Sequence, residues 1–132
     1  MNDWGAVIIS AIALVFSVFS WYKTTKVSKG QLEIEVRKMI SEKKNDFLKY
    51  CNSDDKKAII DSLIEEEINA YDQACLFYKE RKIDRKSFKR AYRSEIVNLV
   101  EDSNYNEIGK FNDINCKYDN LINVYKEWTK IK

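Results

Sequence analysis

The sequence predicts an all-α protein with a single N-terminal transmembrane helix followed by a small bundle of about four helices. Three observations lead to this prediction. Residues 4–22 carry no charged side chain, the rest of the chain spaces its apolar residues three and four apart, and proline is absent. Such spacing puts apolar side chains on one helix face, and an uncharged run of this length is typical of a membrane span.

The run from Trp4 to Tyr22 is predicted to cross the membrane. It has nineteen residues, and an apolar helix needs about 20 to cross a hydrocarbon core about 30 Å thick. Aromatic residues at both ends suit the headgroup boundary. A secretory signal peptide is the alternative, but the chain starts with Asn2-Asp3 and its Ala-x-Ala triplet lies in mid-run. We therefore predict that residues 1–22 are a retained anchor.

The charges that flank the run predict its orientation. Lys23, Lys26 and Lys29 follow it in a basic juxtamembrane segment, residues 23–30, whereas Asp3 is the one side-chain charge before it. Positive flanks stay on the cytoplasmic side. We expect the three lysines to contact lipid headgroups of a bacterial inner (plasma) membrane, with the N-terminus outside and residues 31–132 forming a cytosolic helical domain.

The first half of that domain is predicted to contain two helices. Residues 27–51 place apolar side chains on one stripe, with a short strand at residues 32–36 as the alternative, and residues 52–55 form a polar break. A second helix is expected over residues 56–78. Glu67 interrupts its apolar stripe, either as a partly buried carboxylate or because the buried face turns. The first stripe consists of Leu32, Val36, Met39, Ile40, Phe47 and Cys51.

The second half is predicted to contain two more helices. Ile83-Asp84 has the pattern of a helix start, an apolar residue before a capping Asp, and a helix should follow over residues 85–101. Residues 102–115 contain several asparagines and are predicted to be the longest loop. The last helix is expected over residues 116–130. Helices of this number and length can enclose one small core.

The residue types that are absent exclude most catalytic chemistry. The chain has no histidine, which removes histidine-based triads, dyads and metal sites. Its three glycines are isolated, so no phosphate-binding loop of the Walker or dinucleotide type can be formed. Three widely spaced cysteines, at positions 51, 75 and 116, are expected to be reduced thiols. We predict a non-enzymatic protein with no cofactor and no metal.

Small residues recur on one face of the predicted span. Their spacings of four, three, four and three follow a seven-residue period that favours left-handed helix packing. This small-residue seam predicts association of the span with a second copy or with another membrane protein, against the alternative of a lone span in lipid. The seam consists of Ala6, Ser10, Ala13, Ser17 and Ser20.

A basic stretch, residues 79–93, holds eight basic residues against two acidic ones. On the third helix the charges form a band opposite the apolar face. The band could bind anionic headgroups, a nucleotide signal, nucleic acid or an acidic protein, or be a solvated face paired with Glu65, Glu66 and Asp72. Nucleic acid is disfavoured because no exposed aromatic residues alternate with the charges. The predicted anion-binding residues are Arg85, Lys86, Lys89, Arg90 and Arg93.

The order of these features resembles a broad group of small bacterial membrane-anchored helical proteins, many without an assigned function. The resemblance rests on the N-terminal run and on Asn69-Ala70-Tyr71-Asp72, Ile83-Asp84, Tyr92 and residues 125–128, Tyr-Lys-Glu-Trp. Some members of this group are linked to prophages or phage defence. The resemblance implies such a setting and brings no catalytic residues.

Together these observations predict a membrane-anchored interaction protein acting at the inner face of a bacterial membrane. The alternative function is a ligand-gated membrane effector. In that alternative the basic helix binds an anionic signal and associated spans perturb the membrane.

Overall fold

The computed structural model describes the backbone of residues 4–51 and 57–130, with all side chains in these ranges except those of residues 4–8, 11, 50 and 51. These ranges contain helices and no strand, which confirms the all-α prediction. The helices are α1 (Trp4–Cys51), α2 (Lys57–Lys79), α3 (Arg85–Glu101), α4 (Ser103–Gly109) and α5 (Asp119–Thr129).

Helix α2 lies at the centre of the bundle and contacts all four other helices. Its inward residues Ile68, Ala74 and Cys75 have no exposed surface. Cys75 is a free thiol within this core, and burial raises its pKa. From α1, Val36 and Ile40 are buried in the same core. The predicted apolar stripe is confirmed at Leu32, Val36, Ile40 and Phe47. The alternative of a strand at residues 32–36 is wrong, because these residues belong to α1.

The start of α3 follows the predicted pattern. Asp84 Oδ1 accepts a hydrogen bond of 2.7 Å from the Ser87 backbone N–H. Ile83 before the cap and Phe88 one turn inside the helix are both buried. This arrangement of an Asp cap between two apolar anchors fixes the direction in which the chain enters the helix. The helix therefore has the predicted bounds.

The predicted loop at residues 102–115 is wrong in its first half, because α4 occupies Ser103–Gly109. Asp102 ends α3 and also caps α4, since its Oδ1 accepts from Asn104 N–H at 2.8 Å and from Tyr105 N–H at 3.3 Å. After α4 the ring of Phe111 packs against Gly109, where a Cβ atom would lie 2.4 Å from the ring. Helix α5 then begins at Asp119, three residues later than predicted.

Several predictions fall outside the described residues. They concern the break at residues 52–55 and the side chains of Trp4, Ala6 and Cys51. Among the described residues, none of the helices combines the length and the apolarity required to cross a membrane. The single N-terminal transmembrane helix stays a prediction.

Candidate functional site

The N-terminal half of α1 extends beyond the bundle, and its described apolar side chains are uncovered. Every described side chain from Ile9 to Gln31 is exposed, and the first one packed against the core is Leu32. The exposed fractions of Phe16 and Trp21 are 67% and 72%. An apolar surface of this extent is typical of a segment that is covered by lipid or by another protein. Its large members are Ile9, Ile12, Leu14, Val15, Phe16, Val18, Phe19, Trp21 and Tyr22.

The small-residue seam lies on this uncovered segment. Ser10, Ala13, Ser17 and Ser20 are exposed, while the side chain of Ala6 lies outside the described residues. Just beyond the seam, Thr24 Oγ1 donates to the Ser20 carbonyl at 2.9 Å. Such a bond satisfies the threonine hydroxyl within its own helix. The exposed side chains of Ala13, Ser17 and Ser20 lie on the surface of α1, where a second helix could approach them.

The three lysines after the apolar segment, Lys23, Lys26 and Lys29, lie on the same helix and are all exposed. They lie between the apolar segment and the first buried turn of α1. At 1.5 Å per residue, Lys23 to Lys29 spans about 9 Å along the helix axis. The lysines thus form a short cationic zone between the apolar segment and the bundle.

The predicted basic band of α3 divides into two rows, and one row packs against α5. Arg85 Nη2 donates to Glu127 Oε1 at 2.8 Å and to the Tyr78 hydroxyl at 3.0 Å. Its guanidinium carbon lies 4.3 Å from the centroid of the Tyr78 ring. The hydrogen bond with Tyr78 is the largest of the effects that raise the pKa of Arg85. Arg85 therefore helps to join α2, α3 and α5.

The same row continues along α3. Arg93 Nη2 donates to the Trp128 carbonyl at 3.2 Å, near the C-terminal end of α5, where a cation interacts favourably with the helix dipole. Lys89 Nζ lies 5.8 Å from the centroid of the Trp128 ring. Three of the five predicted anion-binding residues thus have contacts within the bundle.

The second row consists of Lys86 and Arg90. Both side chains are exposed, and neither makes an ion pair or hydrogen bond with residues 4–51 or 57–130. A salt-sensitive contact with an anionic partner is the chemistry open to two such cations. Within the predicted band, these two residues are the best placed to bind a partner.

The predicted acidic partners of the band are wrong. Glu65 pairs with Lys117, and Glu66 pairs with Lys43 at 2.7 Å. Asp72 accepts hydrogen bonds from α5 instead. The acid that meets the band is Glu127. Nothing in the local sequence connects Arg85 with Glu127, because only the packing of α3 on α5 brings them together.

A polar network occupies another side of the bundle, around Glu67. This carboxylate is 5% exposed, and its Oε2 accepts from the Tyr105 hydroxyl at 2.7 Å. Burial raises the pKa of Glu67, although the Tyr105 bond opposes that shift. Beside it, Glu95 Oε2 accepts from the Tyr71 hydroxyl at 2.5 Å and pairs with Lys44 at 3.2 Å. The sequence alternative of a buried carboxylate at Glu67 is confirmed.

This network lines an open cleft of about 230 Å³. Its carboxylates already accept from tyrosines and Lys44, so the cluster satisfies its own buried groups and joins α1, α2, α3 and α4. No group of carboxylates and cysteines suited to a metal ion occurs among the described side chains. The arrangement is that of a structural network.

Comparisons with protein-family models, curated proteins and solved structures found no match to this chain.

Proposed function

We propose that this chain is a non-enzymatic, single-pass membrane protein whose helical domain binds a partner at the inner face of a bacterial membrane. The observation that carries the proposal is the uncovered apolar half of α1, which belongs to an uncharged run of nineteen residues. A helix that is apolar all round is typical of one surrounded by lipid or by other apolar helices. Helix α1 continues into the bundle, so one helix would serve as both anchor and scaffold.

The charges support a cytosolic location for the bundle. Lys23, Lys26 and Lys29 directly follow the apolar segment, and lysines in this position are retained on the cytoplasmic side. On the bundle itself, the unpaired cations Lys86 and Arg90 offer a surface for an acidic protein or another anionic ligand.

Membrane fractionation tests the anchor with a matched pair of variants. Ile12 and Phe16 are 51% and 67% exposed in the apolar segment, and Ile34 and Leu48 are 67% and 61% exposed on the part of α1 beside the bundle. Ile12→Arg with Phe16→Arg should release the chain from carbonate-washed membranes, because arginine costs about 2.5–3.5 kcal/mol near the centre of a span. Ile34→Arg with Leu48→Arg should leave it in the membrane. Equal partitioning of the two double variants would contradict the anchor.

A ligand-gated membrane effector is the second candidate, favoured by the exposed seam Ser10, Ala13, Ser17 and Ser20. Close helix packing along the seam would let several spans associate. Phage exclusion or defence is the setting implied by the resemblance stated above. Phage plating and membrane-potential dyes in cells expressing the full chain or its Ile12→Arg, Phe16→Arg variant test both ideas. Protection with depolarisation supports the effector, and protection without depolarisation supports the interaction protein.

A further inference from the structure

A cleft of about 490 Å³ lies where the turn between α2 and α3 meets α1. The turn is held against α1 by a hydrogen bond of 2.7 Å from the Asp84 backbone N–H to Glu33 Oε1. At Gly30 the cleft has open space, because a Cβ atom there would have no neighbour within 4 Å. The remaining lining residues are Lys26, Lys29, Arg81, Ile83 and Arg85.

The cleft has an excess of positive charge, with four basic lining residues and two acidic ones. Both carboxylates are engaged in holding the turn, since Glu33 accepts from the Asp84 N–H and Asp84 accepts from the Ser87 N–H. Arg85 is paired with Glu127. The other three cations, Lys26, Lys29 and Arg81, form no ion pair with the described residues. With Arg85 balanced by Glu127, the three other cations and the two carboxylates leave the lining with a net charge of +1.

Arg81 occupies a backbone position that normally belongs to glycine. Its φ is 58°, and the flanking bonds are Arg81 N–H to the Tyr78 carbonyl at 3.2 Å and Lys82 N–H to the Phe77 carbonyl at 3.0 Å. This is the Schellman pattern that ends a helix, in which glycine adopts the left-handed conformation most easily. An arginine there lowers stability and places a cation on the rim of the cleft.

We propose that this cleft binds the phosphate of an anionic lipid headgroup, an inference that rests on the proposed membrane anchor. Lys26 and Lys29 lie four and seven residues beyond Tyr22, about 6 Å and 10 Å along the helix. The headgroup layer is about 5–8 Å thick on each side of the hydrocarbon core, so it reaches the level of Lys26, and Lys29 lies about 2–5 Å beyond its outer edge. The cleft would therefore open into the layer that contains the lipid phosphates, where clustered lysines and arginines bind anionic lipids.

Hydrogen exchange of the full chain in lipid nanodiscs tests the site. In discs of phosphatidylcholine with about one-third phosphatidylglycerol, amide exchange over residues 80–86 should be at least threefold slower than in pure phosphatidylcholine. Arg81→Gly with Lys29→Gln should abolish this difference. Arg81→Gly alone should weaken it and raise the melting temperature, because glycine fits the left-handed backbone. The control Lys126→Gln, an exposed change on α5 outside the cleft, should keep the full difference.

The outcomes separate this site from the anchor on which it rests. A chain that co-purifies with both kinds of disc but shows no effect of phosphatidylglycerol overturns the lipid site alone. A chain that co-purifies with neither overturns the anchor and the site together. Equal slowing by inorganic phosphate in pure phosphatidylcholine discs overturns the lipid assignment, because it identifies a site for soluble anions. Loss of the effect in Lys126→Gln also overturns the cleft, since that residue does not line it.

Discussion

Asp72 of α2 caps the first turn of α5, because its Oδ1 accepts a hydrogen bond of 2.9 Å from the Leu121 backbone N–H. The other oxygen accepts from Asn120 Nδ2 at 3.1 Å. Tyr118, at the N-cap position of α5, makes no side-chain capping bond of its own. The cap is therefore supplied by a residue far away in the sequence, and α5 depends on α2 for its start.

Asp72→Ala should lower the free energy of unfolding by about 0.5–2 kcal/mol, the usual effect of losing a helix cap. Thermal and urea unfolding followed by circular dichroism would measure this. Gln73→Ala is the control, since Gln73 is exposed and adjacent on the same helix. An Asp72 variant as stable as the Gln73 variant would show that the cap has no energetic role.

The buried carboxylate Glu67 should make stability depend on pH. Its pKa is raised above 4.5 in the folded chain by burial, so the folded chain binds this proton more tightly than the unfolded chain. The stabilisation is complete below pH 4.5 and is lost as pH rises through the higher, folded-state pKa. Glu67→Gln stays neutral and can still accept from Tyr105, so its melting temperature should rise relative to the parent chain between pH 4 and pH 7.5. If the melting temperatures of the Glu67 variant and the parent chain differed by the same amount at every pH, this prediction would be refuted. The control Glu107→Gln, at an exposed position, should show such a constant difference.

The two rows of α3 cations should respond differently to neutralisation. Lys86→Gln with Arg90→Gln should leave the melting temperature unchanged, because both side chains are exposed and glutamine is a good helix former. If they contact an acidic partner, crosslinking to that partner should decrease and should also weaken with added salt. Arg85→Gln should lower stability by less than about 1 kcal/mol, since its pair with Glu127 is partly exposed. Partner crosslinking unaffected by the double change would eliminate this row as a binding surface.

The seam predicts a difference between two double variants of the apolar segment. Ser10→Leu with Ser17→Leu should reduce crosslinked dimers in membranes, because larger side chains prevent close approach of helices. Ile9→Leu with Phe16→Leu changes exposed residues beside the seam and should not. Equal dimer yields from both variants would mean that the seam does not direct association.

The proposed orientation can be checked at the C-terminus. A protease site appended after Lys132 should resist protease added to intact cells and be cleaved once the inner membrane is opened, because lysines that flank a span favour the cytoplasmic side and three of them follow Tyr22. Cleavage in intact cells would reverse the topology. A second site before Asn2 should show the opposite pattern.

Local sequence signals were enough to predict some elements and not others. The bounds of α3 follow from Ile83-Asp84, because an apolar residue and a cap act within one turn. Helix α4 was missed because seven residues are too few for an apolar stripe, and Asp102 serves two helices at once. The interruption at Glu67 correctly indicated burial, but its Tyr105 partner depended on that missed helix. Arg81 lies in the basic stretch, yet its left-handed backbone and its cleft exist only once α2 and α3 meet α1.

Because α1 is one continuous helix, it fixes the angle between the face that carries the seam and the face that is buried in the core. With 3.6 residues per turn, the nineteen positions from Ser17 on the seam to Val36 in the core amount to a rotation of about 100°. Viewed along the helix axis, the bundle therefore lies roughly at a right angle to the seam and not on the opposite side of the helix. If two copies associated along the seam, their α1 helices would lie side by side and the two bundles would project away from the line of contact. A change in the crossing angle of the two α1 helices would then move the two bundles relative to each other.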